Sequence, residues 1–174
     1  MKRILRGATT PDFVPDYMAQ SIHDIDFEHL VKSGIRYVAF DADSTLVPFR
    51  GVELPPKTLK FLRRQKKLFT SWCIATNRIT HDLENLAASL ESGIIQAGLV
   101  VRKPRQKFFH RVLSYFGDPP PEQVVMIGDK LRADIWGAKR SGFQTVWVEH
   151  LKDNPLDTII MLRHIERKIL SRYL

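Results

Sequence analysis

Ile35-Arg36-Tyr37-Val38-Ala39-Phe40-Asp41-Ala42-Asp43-Ser44-Thr45 carries an apolar, β-prone run straight into two carboxylates. Residues 35–40 read as a strand that ends at Asp41. In extended backbone, residues two apart project to the same side, so Asp41, Asp43 and Thr45 can face one site. Two carboxylates behind so apolar a run repel each other unless a cation or a shared proton relieves them. Taken alone, Asp41-x-Asp43 also fits a helix cap or a turn ahead of Pro48.

Outward from that strand, apolar β-rich runs alternate with helical patterns. Pro55 to Lys67 reads as a helix with proline in its first turn. Leu68 to Ala75 is a second strand, ending at Thr76-Asn77. Thr80 is placed to cap a helix carrying Leu83, Leu86, Ala87 and Leu90 at helical spacing, with Gly93 as its stop. Gly98 to Val101 reads as a third strand leading into Arg102-Lys103-Pro104, followed by a helix from Arg105 to Phe116. Val124 to Ile127 is a fourth strand ending at Gly128-Asp129. A helix then runs to Ser141-Gly142, and Phe143 to Val148 is a fifth strand. This β-α-β-α order predicts parallel strands joined by right-handed crossovers, hence a doubly wound α/β sheet in a single domain spanning residues 1–174.

The core is expected over 34–150. Residues 1–33 form an N-terminal arm broken by Pro11 and Pro15, plus a helix capped by Asp26 and stopped at Gly34. Residues 155–174 form a C-terminal helix with Ile159, Ile160, Leu162, Ile165, Ile169 and Leu170 apolar and Arg163, Arg167, Lys168 and Arg172 basic. That pattern fits an interfacial helix or a helix packed on the sheet.

Composition narrows the partners. The 174 residues carry 27 Lys+Arg against 19 Asp+Glu, a formal charge of +8, which favours anionic partners: phosphorylated metabolites, nucleic acid or anionic lipid headgroups. The lone Cys73 excludes an intramolecular disulfide framework and reads as a small buried hydrophobe. No run approaches the length of a membrane-spanning helix. No apolar stretch follows Met1-Lys2-Arg3-Ile4-Leu5-Arg6, so no signal peptide is expected. The expected location is the cytoplasm, with peripheral contact at the inner face of a membrane open to it.

In a doubly wound sheet, ligands bind beyond the C-terminal ends of the strands. Asp41, Thr76 with Asn77, Lys103, and Gly128-Asp129 all fall there. Each has an ordinary reading: Thr76 as a turn cap, Lys103 as one solvated charge among Arg102, Arg105 and Lys107. Four strand ends converging in this order are much harder to explain that way. With Asp129 and Asp134 added, the carboxylates call for an oxygen-loving cation, and magnesium suits them because it also binds phosphate.

The motifs Asp41-Ala42-Asp43-Ser44-Thr45, Thr76-Asn77, Lys103-Pro104 and Gly128-Asp129-x4-Asp134 resemble the four motifs of haloacid dehalogenase (HAD) superfamily phosphatases of subclass IIIA. Ser21-Ile22-His23-Asp24-Ile25-Asp26, Gly34-Ile35-Arg36 and Arg102-Lys103-Pro104 look like the YqeG family and the phosphatidylglycerophosphate phosphatases similar to it. Two positions depart from that pattern: Ser44 where Asn is usual, and Ala133 where Thr is common. The resemblance implies a HAD-like Rossmannoid fold and a magnesium-dependent phosphomonoester hydrolase. Asp41 would be the nucleophile and Asp43 the general acid and base. Thr76 and Lys103 would hold the phosphoryl oxygens, with Thr45 and Asn77 lining the substrate. Asp41, the backbone carbonyl of Asp43, and Asp129 would bind magnesium, with Asp134 supporting that end.

The intervals from Asp43 to Thr76 and from Asn77 to Lys103 each hold only a helix and a strand, which leaves no room for a cap domain. An open cleft suits a phosphate presented on something large, and the resemblance points to a phospholipid headgroup, phosphatidylglycerophosphate. The acid-free run Lys57, Lys60, Arg63, Arg64, Lys66 and Lys67 and the basic C-terminal helix are the candidate surfaces for it. A soluble or nucleic-acid phosphomonoester is the alternative substrate. A module binding RNA or the ribosome with a vestigial site is the alternative of another class. Nucleic acid is less favoured, because Phe61, Phe69, Phe108 and Phe109 sit at core spacing and not as stacking platforms.

Overall fold

The computed structural model describes residues 1–3, 12–80, 82–149, 166, 168, 170 and 171. Its strands are β1 (Lys2–Arg3), β2 (Tyr17–Ala19), β3 (Tyr37–Phe40), β4 (Ser71–Thr76), β5 (Gly93–Gln96), β6 (Val124–Gly128) and β7 (Gln144–Val148). Its helices are α1 (Phe27–Lys32), α2 (Pro56–Lys66), α3 (Glu84–Leu90), α4 (Gln106–Tyr115) and the short α5 (Gly137–Lys139). The strands form one seven-stranded sheet in the order β1-β2-β7-β6-β3-β4-β5. All pairings are parallel except β1 with β2.

Side chains alternate across the strands and build a core on each face. Val38, Phe40, Trp72, Ile74, Val125 and Ile127 join Phe27 and Leu30 of α1, Leu62 of α2 and Leu86 of α3 on one side. Ala39, Cys73, Ala75, Val124 and Met126 meet Phe108, Phe109 and Val112 of α4 and Ala138 of α5 on the other. Strands buried on both faces have no polar side to show, which is why they read as continuous apolar runs. The sheet is doubly wound, as the alternation predicts. Nothing beyond α2 is inserted between Asp43 and Thr76, and only α3 and β5 separate Asn77 from Lys103 among the described residues.

Local expectations fail in three places. The strand expected over Gly98–Val101 lies instead at Gly93–Gln96, where Ile94 and Ile95 pair with Ile74 and Ala75 of β4. α3 stops at Glu91, a non-glycine residue in the left-handed region with φ 50°. Gly93 is needed for a different reason: a Cβ there would overlap the Tyr115 ring. Gly98 to Val101 form a turn in which the Gly98 N–H donates to the Val101 carbonyl at 2.9 Å. Thr80 does not cap α3, which starts at Glu84; its hydroxyl donates to Asp82 at 2.9 Å. The uniform helix expected after β6 opens with a π-helical turn, Leu131–Trp136, before α5.

The N-terminal arm contributes the edge strand β1 and its neighbour β2, too short to carry a periodicity. The helix expected over residues 155–174 lies outside the described residues, apart from Glu166, Lys168, Leu170 and Ser171. Leu170 is buried against Leu131, Ile135 and Trp147, and the Glu166 carboxylate accepts from the Leu131 N–H at 3.2 Å.

Asp16 fastens the arm to β7. Its carboxylate accepts from the Thr145 N–H and hydroxyl, each at 2.9 Å, and pairs with Lys139. The Asp16 N–H donates to Thr145 Oγ1 at 3.1 Å. Thr145→Val breaks this reciprocal pairing in a buried setting and is expected to lower unfolding free energy by about 1–3 kcal/mol, read from the urea midpoint. An unchanged midpoint would show that the latch contributes nothing.

Candidate active site

β3 sits at the topological switch point. The chain leaves it for β4 and β5 on one side, then returns to β6 and β7 on the other, and such a reversal opens a crevice at the C-terminal strand ends. A cleft of about 580 Å³ lies there, lined among others by Asp41, Asp43, Thr76, Arg78, Lys103 and Lys130. The Asp41 N–H donates to the Ile127 carbonyl at 2.9 Å, which extends the β3–β6 ladder one residue into the site.

Lys103 is the hub. Its ammonium donates to Asp41 Oδ1 at 2.8 Å and to Asp134 Oδ1 at 2.6 Å, and its side chain is 1% exposed. Asn77 holds the backbone beneath it: the Asn77 amide donates to the Lys103 carbonyl at 3.0 Å, and the Lys103 N–H donates to Asn77 Oδ1 at 2.8 Å. Both ends of the Asn77 amide are thus used in placing Lys103. A second ammonium, Lys130 Nζ, lies 3.4 Å from both Asp41 Oδ2 and Asp129 Oδ1, on a side chain 41% exposed.

Asp41, Asp129 and Asp134 are buried and bring one ligand oxygen each within 4.8 Å of the others. An all-carboxylate set of hard oxygen donors fits magnesium. Burial opposes ionisation of Asp41, but Lys103 and Lys130 outweigh it and hold its carboxyl below the ordinary range. Asp134 goes the other way: burial pushes it up to about 6, helped by Asp41 and Asp129 and opposed by the lysines. Burial disfavours the Lys103 ammonium, yet Asp134 and Asp41 raise its pKa and keep it charged. Gly128 makes the packing possible, since a Cβ there would overlap the Asp134 carboxyl.

Asp43 stands apart from that cluster. Its carboxylate is gripped by Arg78, through Nη2 and by Nε at 3.3 Å, and accepts from the Arg50 N–H at 2.7 Å. Arg78 is itself braced by the Gly51 carbonyl at 3.0 Å. The Thr76 hydroxyl accepts from the Arg78 N–H at 3.0 Å at the edge of the cleft. Thr45 donates to Asp129 at 3.4 Å, buried beside the acidic cluster. Ser44 sits at φ 65°, and its buried hydroxyl finds no hydrogen-bond partner. The left-handed region tolerates Asn better than Ser, so the departure at this position has a local physical consequence. Ala133 lines the cleft.

Arg78 and Lys130 escape the sequence reading. Each is the residue immediately after a quoted motif, Thr76-Asn77 and Gly128-Asp129, and that adjacency was the available signal. Whether a long cation turns into the cleft or out to water is decided by tertiary packing.

Comparison with known proteins places the chain. A family profile described as HAD-hydrolase-like matches residues 100–158. "Probable phosphatase YqeG" of Bacillus subtilis is 26% identical over 159 residues, covering 91% of this chain and 90% of that protein. "Phosphatidylglycerophosphate phosphatase 1, chloroplastic/mitochondrial" of Arabidopsis thaliana is 28% identical over 92% of this chain, which spans only 48% of the plant protein. In fold, the chain is similar to the HAD-hydrolase YfnB of Bacillus subtilis, solved bound to magnesium, with TM-score 0.50 and 15% identity, covering 75% of this chain and 98% of that one. The chain is similar to haloacid dehalogenase-like hydrolases, through that profile over residues 100–158 and through phosphatases that resemble it over most of its length. It is a phosphatase.

Lys103→Met leaves the buried carboxylates without their central counter-charge and is expected to lower stability by about 3–5 kcal/mol in urea unfolding. Adding Asp134→Asn should recover part of the loss. A Lys103→Met protein as stable as the parent would show that the triad tolerates its own charge.

Proposed function

We propose that the protein hydrolyses a phosphomonoester through a phosphoryl group carried on Asp41, with magnesium as cofactor and phosphatidylglycerophosphate as substrate. The observation that carries the reaction is an ionised Asp41 held by Lys103 at the floor of an uncapped cleft, with Asp43 fixed separately by Arg78. Phosphoryl transfer needs positioning and charge neutralisation more than covalent help. A dianionic phosphate repels an anionic nucleophile, so Lys103 and Lys130 offset that charge, and the longer contact, from the half-exposed Lys130 to Asp41 Oδ2, is the one to give way to the phosphoryl group. Asp41, the Asp43 carbonyl, Asp129 and Asp134 would hold the magnesium, which when bound withdraws charge from the phosphoryl oxygens.

In the first step an Asp41 carboxylate oxygen bonds to phosphorus, the bond to the alcohol oxygen breaks, and Asp43 delivers a proton to that oxygen. Arg78 orients Asp43 meanwhile. An entering phosphate competes for the same guanidinium and frees Asp43 to carry the proton. In the second step Asp43 takes a proton from water, the water oxygen bonds to phosphorus, and Asp41 is regenerated with inorganic phosphate released. Dividing one slow hydrolysis into two steps is the advantage of the covalent route. Thr76, which lines the cleft with Lys103, would bind a phosphoryl oxygen. Thr45 and Asn77 would serve the site by fixing Asp129 and Lys103.

The lipid substrate is supported by the likeness to the plant phosphatidylglycerophosphate phosphatase and by the open cleft. It is tested by phosphate release from phosphatidylglycerophosphate in mixed micelles with Mg²⁺. Release should exceed that of Asp41→Asn by orders of magnitude and vanish with EDTA. Release no greater than from Asp41→Asn would rule out this substrate.

Two further outcomes are expected. Asp43→Asn should lose about 10²–10⁴-fold in rate on an alkyl phosphate and distinctly less on p-nitrophenyl phosphate, whose leaving group needs no proton. Equal losses on both would deny Asp43 the acid role. Lys130→Gln removes an ammonium from between Asp41 and Asp129 and should tighten Mg²⁺ binding several-fold by titration calorimetry. Weaker binding would show that Lys130 does not contest the cation position.

A further inference from the structure

The turn at residues 98–101 presents apolar side chains to water for no reason internal to the fold. Leu99 is 96% exposed and Val100 66% exposed. The turn is built to do this: the hydrogen bond from Gly98 to Val101 closes it, and Val101 packs back against the core with Ile95 and Phe109. Ile79, 61% exposed, stands on the neighbouring connection. The two loops are tied together, because the Gln96 side chain donates to the Thr80 carbonyl at 2.8 Å and the Ala97 N–H to the Thr76 carbonyl at 3.0 Å. Single exposed hydrophobes are ordinary on protein surfaces. Adjacent ones at the apex of a fixed turn, beside an active-site mouth, are not.

The charge on the tip's own stretch of chain has one sign, while Asp82 on the neighbouring connection is paired with Arg78. No Asp or Glu occurs between Glu91 and Asp118, while Arg102, Lys103, Arg105, Lys107 and Arg111 all fall in that interval. Of these, Lys103 is buried in the site and the other four are exposed. Arg102 also lines the cleft. Apolar side chains leading and cations flanking is the arrangement that inserts into the headgroup boundary of an anionic bilayer. A nucleic acid would reward the cations but leave Leu99 and Val100 in water.

We propose that Leu99 and Val100, with Ile79 beside them, are a membrane-docking tip that seats the cleft mouth on an anionic lipid surface. Docking here would turn the strand ends, and with them Asp41, toward the headgroups. The choice of lipid as occupant is in keeping with the proposed substrate, but the contact is testable without any turnover.

The experiment is sedimentation of the full chain with vesicles of phosphatidylcholine containing phosphatidylglycerol, and with phosphatidylcholine alone. The parent should bind the anionic vesicles. Leu99→Asp/Val100→Asp should lose about tenfold or more in apparent affinity while hydrolysing p-nitrophenyl phosphate at the parental rate. A Leu99→Trp variant should show a blue-shifted emission on the same vesicles, quenched by brominated acyl chains. Parental binding by the double variant, an unshifted indole, or no vesicle binding by the parent would each overturn the proposal. So would tight RNA binding that depends on Leu99 in place of vesicle binding. Vesicle binding through the tip with no release from phosphatidylglycerophosphate would sink the proposed substrate and leave the docking tip standing.

Discussion

The Lys103 ammonium, buried between Asp41 and Asp134 at the floor of the cleft, is the contact on which the rest of the site depends. Three buried carboxylates within 4.8 Å of one another are untenable without cations, because each ion loses its hydration and gains repulsion. Lys103 answers that at the centre, and it can do so only because Asn77 pins its backbone from the end of the neighbouring strand. The ionised state of Asp41 follows from this pairing. The interaction that stabilises the fold at its switch point therefore also prepares the nucleophile.

The sheet explains why these groups meet at all. β3 and β6 are parallel neighbours with Phe40 opposite Ile127, so Asp41 and, one residue further on, Asp129 leave adjacent strands together. β4 on the other flank supplies Thr76, Asn77 and Arg78. Asp134 arrives differently, on the π-helical turn after β6, and its carboxyl fits against Gly128 because that residue has no side chain. The separation of Asp43 from the acidic cluster divides the labour within one short motif. Asp41 faces the lysines and Asp43 faces Arg78, so two carboxylates two residues apart come under different electrostatic control.

Much of this was legible in the sequence, for identifiable reasons. Strands buried on both faces give uninterrupted apolar runs, so β3, β4, β6 and β7 could be placed from Tyr37–Phe40 and its counterparts, and their ends then located Asp41, Thr76 and Asp129, whereas Lys103 stands not at a strand end but on the connection after β5. β5 was misplaced because Gly93 looks like a helix stop, whereas Glu91 adopts the left-handed conformation and Gly93 makes room for Tyr115. The Leu99-Val100-Val101 run, its first two residues exposed, then imitated a strand. β1 and β2 were invisible because two or three residues carry no periodicity. Arg78 and Lys130 were missed because the direction of a long cation is set by carboxylates far away in sequence.

With no cap domain over the cleft among the described residues, selectivity must come from what surrounds the mouth, and here Arg102 and an apolar apex stand beside it. The central claim is chemical, however, and it concerns one atom group. Rapid quenching of a single turnover with ³²P-labelled substrate, followed by borohydride reduction and peptide mass spectrometry, would locate the covalent phosphoryl group. The account predicts label that forms and decays within the turnover, with reductive trapping at residue 41 alone. Label on another side chain, or turnover at full rate with no covalent phosphoryl enzyme, would contradict it.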